Sequence, residues 1–373
     1  MTKGRLGGLS IGQFLRRHWQ KKPLLARAAL PEYADLLQRD QLFALAARDD
    51  LDARLVTRRG ARWTVCHGPF TRRELRRLPA SGWTLLVQGI DRALPVARKL
   101  LEEFAFLPHA RLDDVMVSYA PPGGGVGPHF DSYDVFLLQL RGVRRWRVSA
   151  QRDLSLVAGA PLRILRNFRP TREWALHPGD MLYLPPRCAH DGTAVSDCMT
   201  CSIGFRAPGA QEMGVRFLEF LQDELRLDGI YADPGLRRQR HPALLGDAMV
   251  QELKRMLSSV QWSAAVVERF LGCYLTEPRE QVVFARPRRP VSEKVFSKRA
   301  AREGVRLALP TRMLFRGSVF FINGEACETS PRAARTMRHL ADARSLPGSA
   351  ATSRELLGRL YEWYRAGYLL LGT

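Results

Sequence analysis

The sequence predicts an α+β protein in which a barrel or sandwich of short strands precedes a helical region and a small mixed module. In residues 83–206, short runs of β-branched and aromatic residues alternate with Gly- and Pro-rich turns, a pattern typical of all-β barrels and sandwiches. From residue 208 onward, apolar residues recur every three or four positions, as they do on amphipathic helices. A chain of 373 residues is long enough for two or three domains.

The strands of the first region are predicted from apolar runs between turn residues. The turns lie at Gly142 and in segments 121–125, 178–180 and 185–186. The predicted strands are 115–119, 135–140, 146–148, 181–184 and 200–205.

Three amphipathic helices are predicted next, over segments 213–225, 245–257 and 266–274. Three such helices bury little apolar surface by themselves, so we expect them to pack on the barrel or on a second copy of the chain. The first helix carries one long stripe, and its isologous pairing would make a homodimer. The stripe consists of Met213, Phe217, Phe220 and Leu221.

The C-terminal part is predicted to be a separate small module. Segment 286–290 contains two prolines, three arginines and no apolar residue, which is typical of a linker. Beyond it the sequence predicts a strand pair near 313–321, a helix at 353–364 and a strand at 369–371, and this mixture resembles a winged-helix module. The predicted domains are therefore 1–207, 208–285 and 286–373.

The composition indicates a globular, basic, intracellular protein. Lys and Arg number 58 against 37 Asp and Glu, and the net charge of +21 attracts polyanions at low salt. Six scattered cysteines, including the lone pair Cys198 and Cys201, do not make a disulfide framework, so we expect a reducing cytosol. Residues 1–19 lack the apolar core of an export signal, and no apolar run approaches the ~20 residues of a membrane span. We therefore expect a cytoplasmic location and no membrane partner.

The strongest chemical signal is the pair His129 and Asp131, followed by His190 after a turn, a strand and a proline stop. Residues two apart on a strand point to the same face, so His129 and Asp131 are expected to aim at one point. Two histidines and one carboxylate with open coordination positions form the ligand set of non-haem Fe(II) oxygenases. An HxD pair by itself also fits a surface turn, and the downstream histidine favours the metal site.

Arg144 is a second candidate. It shares one strand face with Trp146 and Val148, while Arg145 and Arg147 share the other face. If the face with Trp146 points inward, Arg144 is a buried guanidinium that needs an anionic partner, and a small dicarboxylate cosubstrate fits that need. The periodicity leaves open whether Arg144 instead faces solvent.

Four segments together resemble the bacterial ribosomal oxygenases, a family of cupin-like Jumonji C enzymes. They are FLRRHWQKKPLL at 14–25, PGGGVGPHFD at 122–131, RRWRV at 144–148 and PGDMLYLPP at 178–186. The resemblance implies a double-stranded β-helix (jelly-roll, cupin) barrel, a helical dimerisation region and a winged-helix tail. It also implies a dioxygenase that hydroxylates an arginine of a large-subunit ribosomal protein with 2-oxoglutarate and O2 as cosubstrates.

The resemblance also assigns site residues. His129, Asp131 and His190 match the Fe(II) ligands, and Arg144 matches the basic residue that holds the distal carboxylate of 2-oxoglutarate. Ser118 falls where a polar cosubstrate contact is expected.

The charge of the chain conflicts with a basic ribosomal substrate, which a +21 enzyme repels at long range. We therefore expect either a locally acidic mouth or a substrate met near ribosomal RNA. Candidates for the acidic groups are Asp113, Asp114 and Asp134. Two other function classes stay open, a non-oxygenase metal-binding cupin and a basic nucleic-acid-binding regulator. A lysine demethylase is disfavoured because the sequence shows no aromatic cluster beside His129 or His190.

Overall fold

The computed structural model describes residues 3–60, 62–350 and 353–372. The outer ends of the predicted first and last domains, residues 1, 2 and 373, lie outside the described residues.

The N-terminal half is built on two antiparallel sheets. One has eight strands in the order β1-β9-β6-β11-β5-β4-β2-β3, and the other has three in the order β10-β7-β8. The strands are β1 (Leu24–Ala26), β2 (Asp52–Arg59), β3 (Arg62–His67), β4 (Trp83–Gln88), β5 (Leu112–Ala120), β6 (Val135–Arg141), β7 (Arg144–Ser149), β8 (Arg172–Leu176), β9 (Met181–Leu184), β10 (Ala189–Ala194) and β11 (Cys198–Phe205). The helices of this half are α1 (Ile11–Arg17), α2 (Arg39–Leu45), α3 (Arg72–Arg76) and α4 (Pro95–Glu102).

Strand β6 shows how the two sheets enclose a cavity. Six of its seven residues are buried, because its two faces contact different cores. Phe136 and Leu138 face the main core under the N-terminal helices. Val135 and Leu137 face the smaller sheet across the barrel. This period-two division explains a nearly continuous apolar run, and it confirms the predicted β-rich barrel.

The helical region follows as α5 (Ala210–Glu224), α6 (Asp247–Ser258) and α7 (Ala264–Thr276). The apolar stripe of α5 is used within the chain: the ring centroids of Phe217 and Phe270 are 5.2 Å apart, and those of Phe220 and Phe270 are 5.6 Å apart. Helix α6 has no buried residue. Helix α6 exposes Leu253 and Leu257, while α5 exposes Val215 and Leu218 beside its half-buried stripe.

The C-terminal part has its own core and two small sheets, β16-β12-β17 and β13-β14-β15. Its elements are α8 (Glu293–Glu303), β12 (Val305–Leu307), β13 (Met313–Arg316), β14 (Val319–Ile322), β15 (Glu325–Glu328), α9 (Pro331–Ala343), β16 (Ser345–Leu346), α10 (Arg354–Ala366) and β17 (Leu369–Leu371). Helix α7 packs closely on β14, since a Cβ at Gly272 would lie 2.3 Å from the Phe321 ring. The predicted strand pair, helix and last strand are present, whereas α8 and α9 were not predicted.

Candidate metal and cosubstrate site

A cavity of about 620 Å³ opens between the two sheets. Strand β5 of the larger sheet contributes Ser118 to its wall, and strands β7 and β10 of the smaller sheet contribute Arg144 and His190. His129 and Asp131 reach the same cavity from the loop before β6. The five site residues that the family resemblance assigns therefore line one space.

His129, Asp131 and His190 converge at its wall. One ligand atom from each lies within 4.8 Å of the others, and Nε2 of His190 lies 3.7 Å from Oδ2 of Asp131. The backbones of His129 and His190 exchange two hydrogen bonds, with His129 N donating to His190 O at 2.9 Å and the reverse bond at 2.8 Å. This bridge fixes the two imidazoles side by side, although 61 residues separate them in the sequence.

The local structure differs from the expected strand. His129 forms one isolated bridge, and the chain is irregular from there to β6. A glycine-rich turn leads into it, in which Gly123 and Gly127 have φ of +75° and +86°, values that favour glycine. Gly125 permits close packing, because a Cβ there would lie 2.5 Å from Gly192 O. The convergence of His129 and Asp131 comes from this turn and the bridge rather than from strand pleating.

The Nδ1 atoms of both histidines face backbone carbonyls. Nδ1 of His129 lies 2.9 Å from Gly127 O, and Nδ1 of His190 lies 2.9 Å from Cys188 O. A carbonyl accepts a hydrogen bond from Nδ1–H, which leaves Nε2 with its lone pair free. Burial and the neighbouring His129 lower the pKa of His190 to about 4. A facial set of two neutral imidazoles and one carboxylate fits an Fe(II) ion of the oxygenase type.

Arg144 lies inside the barrel. It is 4% exposed, and its Nη1 donates to Ser118 Oγ at 3.1 Å and to Thr200 Oγ1 at 3.2 Å. Its Nε has no partner, and no carboxylate lies within 4.0 Å of its guanidinium among the residues the structure describes. Burial lowers the pKa of Arg144. An uncompensated buried cation beside a cavity is costly unless an anion binds there, so the site fits a carboxylate.

Thr200 was not singled out in the sequence. It lies on β11 directly opposite Ser118 on β5, and its hydroxyl donates to Gln139 Oε1 at 3.0 Å. Knowledge that β5 pairs with β11 would have placed Thr200 beside Ser118, but strand pairing cannot be read from the sequence alone. Ser118 and Thr200 together hold the Arg144 guanidinium in place.

The three candidate acidic groups have different surroundings. Asp134 is fully buried away from the cavity, where Tyr183 Oη donates to it at 2.6 Å. Asp113 is held by several arginines, which outweigh burial and keep its pKa below the usual range. Asp114 lines the cavity, and burial together with Asp113 raises its pKa to about 6. Arg279 Nη1 donates to Asp114 Oδ2 at 3.0 Å and opposes that rise.

Three aromatic side chains lie near the candidate metal ligands. The Trp146 ring centroid lies 5.8 Å from that of His190, and Phe130 and Tyr133 line the cavity. Tyr133 lies in the loop before β6 and not on a strand. Among the described residues, Trp146 is the one aromatic ring, apart from the histidines themselves, that pairs with either histidine, and the expectation that no aromatic cluster lies beside them stays a prediction.

The lone CxxC has a structural role. Cys198 and Cys201 are both buried on β11, and burial raises the pKa of each thiol.

A metal ion needs several His, Cys, Asp or Glu side chains close together. Within residues 3–60, 62–350 and 353–372, the one group of three or more such residues with suitable spacing is His129, Asp131 and His190. In the same residues, no helix is long and apolar enough to cross a bilayer.

Comparison with known proteins places these features in context. Residues 99–213 match the JmjC domain model, and residues 259–370 match the ROXA-like winged helix model. The chain is 34% identical over 332 residues to the ribosomal protein uL16 3-hydroxylase of Escherichia coli K12, with 87% of each chain covered. Two solved structures of an E. coli ribosomal oxygenase, one with cobalt and 2-oxoglutarate and one with cobalt and succinic acid, superpose with TM-scores of 0.83 and 0.82. Both are 30% identical to this chain and cover 98% of it and 99% of their own length.

Proposed function

Because the chain belongs to the ribosomal oxygenases, JmjC proteins with a ROXA-like winged helix, we propose that it is an Fe(II)- and 2-oxoglutarate-dependent oxygenase that hydroxylates an arginine side chain of a large-subunit ribosomal protein. The relative of E. coli is named a uL16 3-hydroxylase, which supports this class of substrate. The family and the cavity together support a jelly-roll catalytic domain followed by a winged helix.

The observation that carries the proposal is the pairing of two features in one cavity. His129, Asp131 and His190 present a facial ligand set, and the uncompensated guanidinium of Arg144 lies on the same wall. A 2-oxoglutarate dianion needs both a metal and a distal cation. A non-oxygenase cupin needs no buried arginine without an acidic partner, so Arg144 favours the oxygenase.

The residues divide the work of the reaction. His129, Asp131 and His190 would hold Fe(II), and an iron ion bound there couples decarboxylation of 2-oxoglutarate by O2 to insertion of one oxygen atom into a C–H bond. Arg144, oriented by Ser118 and Thr200, would bind the distal carboxylate through charge-assisted hydrogen bonds.

The substrate guanidinium requires an acceptor near the iron ligands, and we assign that role to Asp114. Asp113 also lines the cavity, but it is held by Arg206, Arg279 and Arg312. Among the described residues Asp114 has Arg279 alone as an ion-pair partner, and Ser118 lies four residues further along the same strand. Arg279 favours its ionised form. A carboxylate here would bind the substrate arginine and place its side-chain carbons toward the metal ligands.

The arrangement of aromatic rings at the site favours hydroxylation of an unmodified arginine over demethylation of a methylated lysine. A methylammonium cage needs free ring faces. Arg163 lies 4.7 Å over the Phe130 ring, and Arg144 lies 5.3 Å from the centroid of Trp146. These two faces are already covered by arginines of the protein itself.

The assembly and location follow as parts of the same proposal. We propose a homodimer through α6, whose Leu253 and Leu257 are 52% and 59% exposed. We also propose a cytoplasmic enzyme that meets its substrate close to ribosomal RNA. For the domain boundaries we keep 207/208 and place α7 with the C-terminal module, because it packs on β14.

Two measurements test the proposed function. Under anaerobic conditions, Fe(II) and 2-oxoglutarate should bind together, and O2 should then release succinate in the presence of large-subunit ribosomal proteins. Intact-mass analysis of those proteins, from cells with and without the enzyme, should show a gain of one oxygen atom on an arginine. Loss of methyl groups, or no change in any ribosomal protein, would contradict the proposal.

A further inference from the structure

Strands β5 and β11 are paired irregularly at the point where Asp114 enters the cavity. Their register shifts between Ile203 and Phe205 of β11. Within the shift, two residues of β5, Asp113 and Asp114, lie opposite the single residue Gly204. Such a β-bulge bends the strand and re-aims its side chains. Neighbouring side chains on a regular strand point to opposite faces, whereas both of these aspartates line the cavity, so the bulge accounts for the direction of Asp114.

The bulge lacks support from its own sheet. Strand β4 ends at Gln88, opposite Met116, so on that side residues 112–115 have no strand partner in the described part of the chain. The two adjacent carboxylates also repel each other, and burial together with the charge of Asp113 raises the pKa of Asp114. The bulge therefore needs partners from outside its two strands.

Arginines from three separate segments supply these partners. Arg206 follows β11, Arg279 follows α7, and Arg312 directly precedes β13 of the C-terminal module. Arg279 bridges the two carboxylates, with Nη2 donating to Asp113 Oδ2 at 2.8 Å and Nη1 donating to Asp114 Oδ2 at 3.0 Å. Arg206 Nε donates to Asp113 Oδ1 at 3.4 Å. Charge-assisted hydrogen bonds of this kind are roughly twice as strong as neutral ones.

Arg312 also binds the backbone of the bulge. Its Nη2 donates to the carbonyl oxygen of Asp113 and lies 3.6 Å from Oδ1 of the same residue. Its Nη1 donates to the carbonyl oxygen of Leu112 at 3.4 Å. In the C-terminal module, the backbone of Arg312 is fixed by Asn323: Arg312 N donates to Asn323 Oδ1 at 3.0 Å, and Asn323 N donates to Arg312 O at 3.1 Å. Arg312 therefore ties the bulge of β5 to a fixed point in the C-terminal module.

We propose that Arg312 is a positioning residue for the substrate: it holds the bulge that turns the Asp114 carboxylate toward the cavity, so the C-terminal module completes the substrate site. The inference rests on the proposed function, in which Asp114 binds the substrate guanidinium. Arg312 does not line the main cavity, so it acts through the bulge and not by contact with the substrate. A misplacement of about 1 Å caused far from the chemistry can cost roughly 100-fold in rate.

Hydroxylation kinetics of Arg312→Gln test the proposal. KM for a large-subunit ribosomal protein should rise about 10-fold or more, while kcat and KM for 2-oxoglutarate stay within about 3-fold of wild type. Electrostatics alone predicts the opposite sign, because removal of a positive charge near the cavity favours a cationic substrate. An unchanged or lower KM for the ribosomal protein, or an equal rise in KM for 2-oxoglutarate, would overturn the proposal. Arg312→Lys keeps the charge without the fork and should show an intermediate KM, which keeps the test decisive if Arg312→Gln does not fold.

A double variant shows whether Arg312 acts through Asp114. In an Asp114→Asn background, Arg312→Gln should lower kcat/KM by less than about 2-fold more, because the group that it positions has already lost its charge. Two full effects that multiply in the double variant would contradict the proposal.

Glu102→Gln is the matched control for a general weakening of the contact between barrel and C-terminal module. Glu102 Oε1 lies 3.7 Å from Arg344 Nε, so this ion pair also joins the two parts of the chain. In the described residues Glu102 has no hydrogen bond or ion pair to Asp113 or Asp114. Glu102→Gln should leave KM for the ribosomal protein within about 2-fold of wild type. A rise equal to that in Arg312→Gln would exclude a specific role for Arg312.

Hydrogen exchange of the ligand-free protein gives a readout that needs no turnover. Mass spectrometry of peptides covering residues 112–116 should show exchange at least about 10-fold faster in Arg312→Gln than in wild type. Peptides covering β6 in the same variant, and residues 112–116 in Glu102→Gln, should exchange at the wild-type rate. Unchanged exchange at 112–116 in Arg312→Gln would refute the proposal. If the wild type hydroxylates no ribosomal protein, the proposed function fails, while the exchange rates still decide whether Arg312 holds the bulge.

Discussion

Replacement of Arg144 by methionine gives the sharpest test of the cosubstrate site. Methionine keeps most of the side-chain volume and removes the guanidinium, whose hydrogen-bond partners in the described residues are neutral groups: Ser118, Thr200 and the Gly192 carbonyl. Loss of a buried charge-assisted pair costs roughly 2–5 kcal/mol. At about 1.4 kcal/mol per factor of ten, KM for 2-oxoglutarate should rise roughly 30- to 4,000-fold. Affinity for Co(II) or Fe(II) alone should change less than about 3-fold, since no metal ligand is altered.

Stability provides a second readout of the same substitution. A buried cation without an acidic partner costs folding energy, so Arg144→Met without ligand should melt at the wild-type temperature or above it. Saturating 2-oxoglutarate and Co(II) raise the melting temperature only if the cosubstrate binds the folded state. The cosubstrate-dependent part of that rise should disappear in Arg144→Met.

The neighbouring Arg145 supplies the matched control. It lies on the same strand but faces solvent, with 53% side-chain exposure and Glu173 at 3.6 Å. Arg145→Met should leave KM for 2-oxoglutarate within about 2-fold of wild type. The measurement is succinate release as a function of 2-oxoglutarate concentration, which gives KM for each variant. A 2-oxoglutarate titration of Arg144→Met that matches wild type would refute the assignment.

Three further predictions concern the metal, the substrate and the assembly. His129→Ala or Asp131→Ala should abolish Co(II) binding by calorimetry and all succinate release, while circular dichroism stays native. KM for the ribosomal protein should rise as pH falls below about 6, because Asp114, whose pKa is raised to about 6, takes up a proton and no longer attracts a guanidinium. In Arg279→Gln, the loss of the neighbouring cation raises the pKa of Asp114 further, so the rise in KM should begin at a higher pH. Leu253→Asp should convert a dimer into a 42.2 kDa monomer in light scattering, because a charge would enter an apolar interface.

Each of these has a specific control and a contrary result. His177→Ala removes an exposed histidine and should leave metal binding intact; Fe(II)-dependent succinate release in His129→Ala would exclude the triad. Arg279→Lys keeps the positive charge and should shift the pH profile less than Arg279→Gln does. Lys254→Asp reverses a charge on the same helix at a polar position and should leave the dimer intact. A wild-type chain that already scatters as a 42.2 kDa monomer at micromolar concentration contradicts the dimer.

The sequence by itself determined the class of fold and named the candidate metal ligands. The period-two runs of β6 and β9 and the helical spacing of α5–α7 are local properties, because the pleat and the helix turn repeat within a few residues. His129, Asp131 and His190 could be named because their side-chain chemistry is rare in combination. The N-terminal strands β1–β4 and helices α8 and α9 were not predicted.

Only the tertiary structure decided what depends on long-range pairing. A short strand leaves the choice of inward face open, so the burial of Arg144 follows from the pairing of β7 with β8 and β10. Thr200 joins the site because β11 pairs with β5. Of the acidic candidates Asp114 and Asp134, only Asp114 faces the cavity, and the sequence could not distinguish them. On the α5 stripe, Phe217 and Phe220 contact Phe270 of α7 but stay half-buried, and the pairing of this stripe with a second copy stays a prediction. Apolar spacing shows that a face must be buried, but the partner that buries it is set by contacts between residues far apart in the chain.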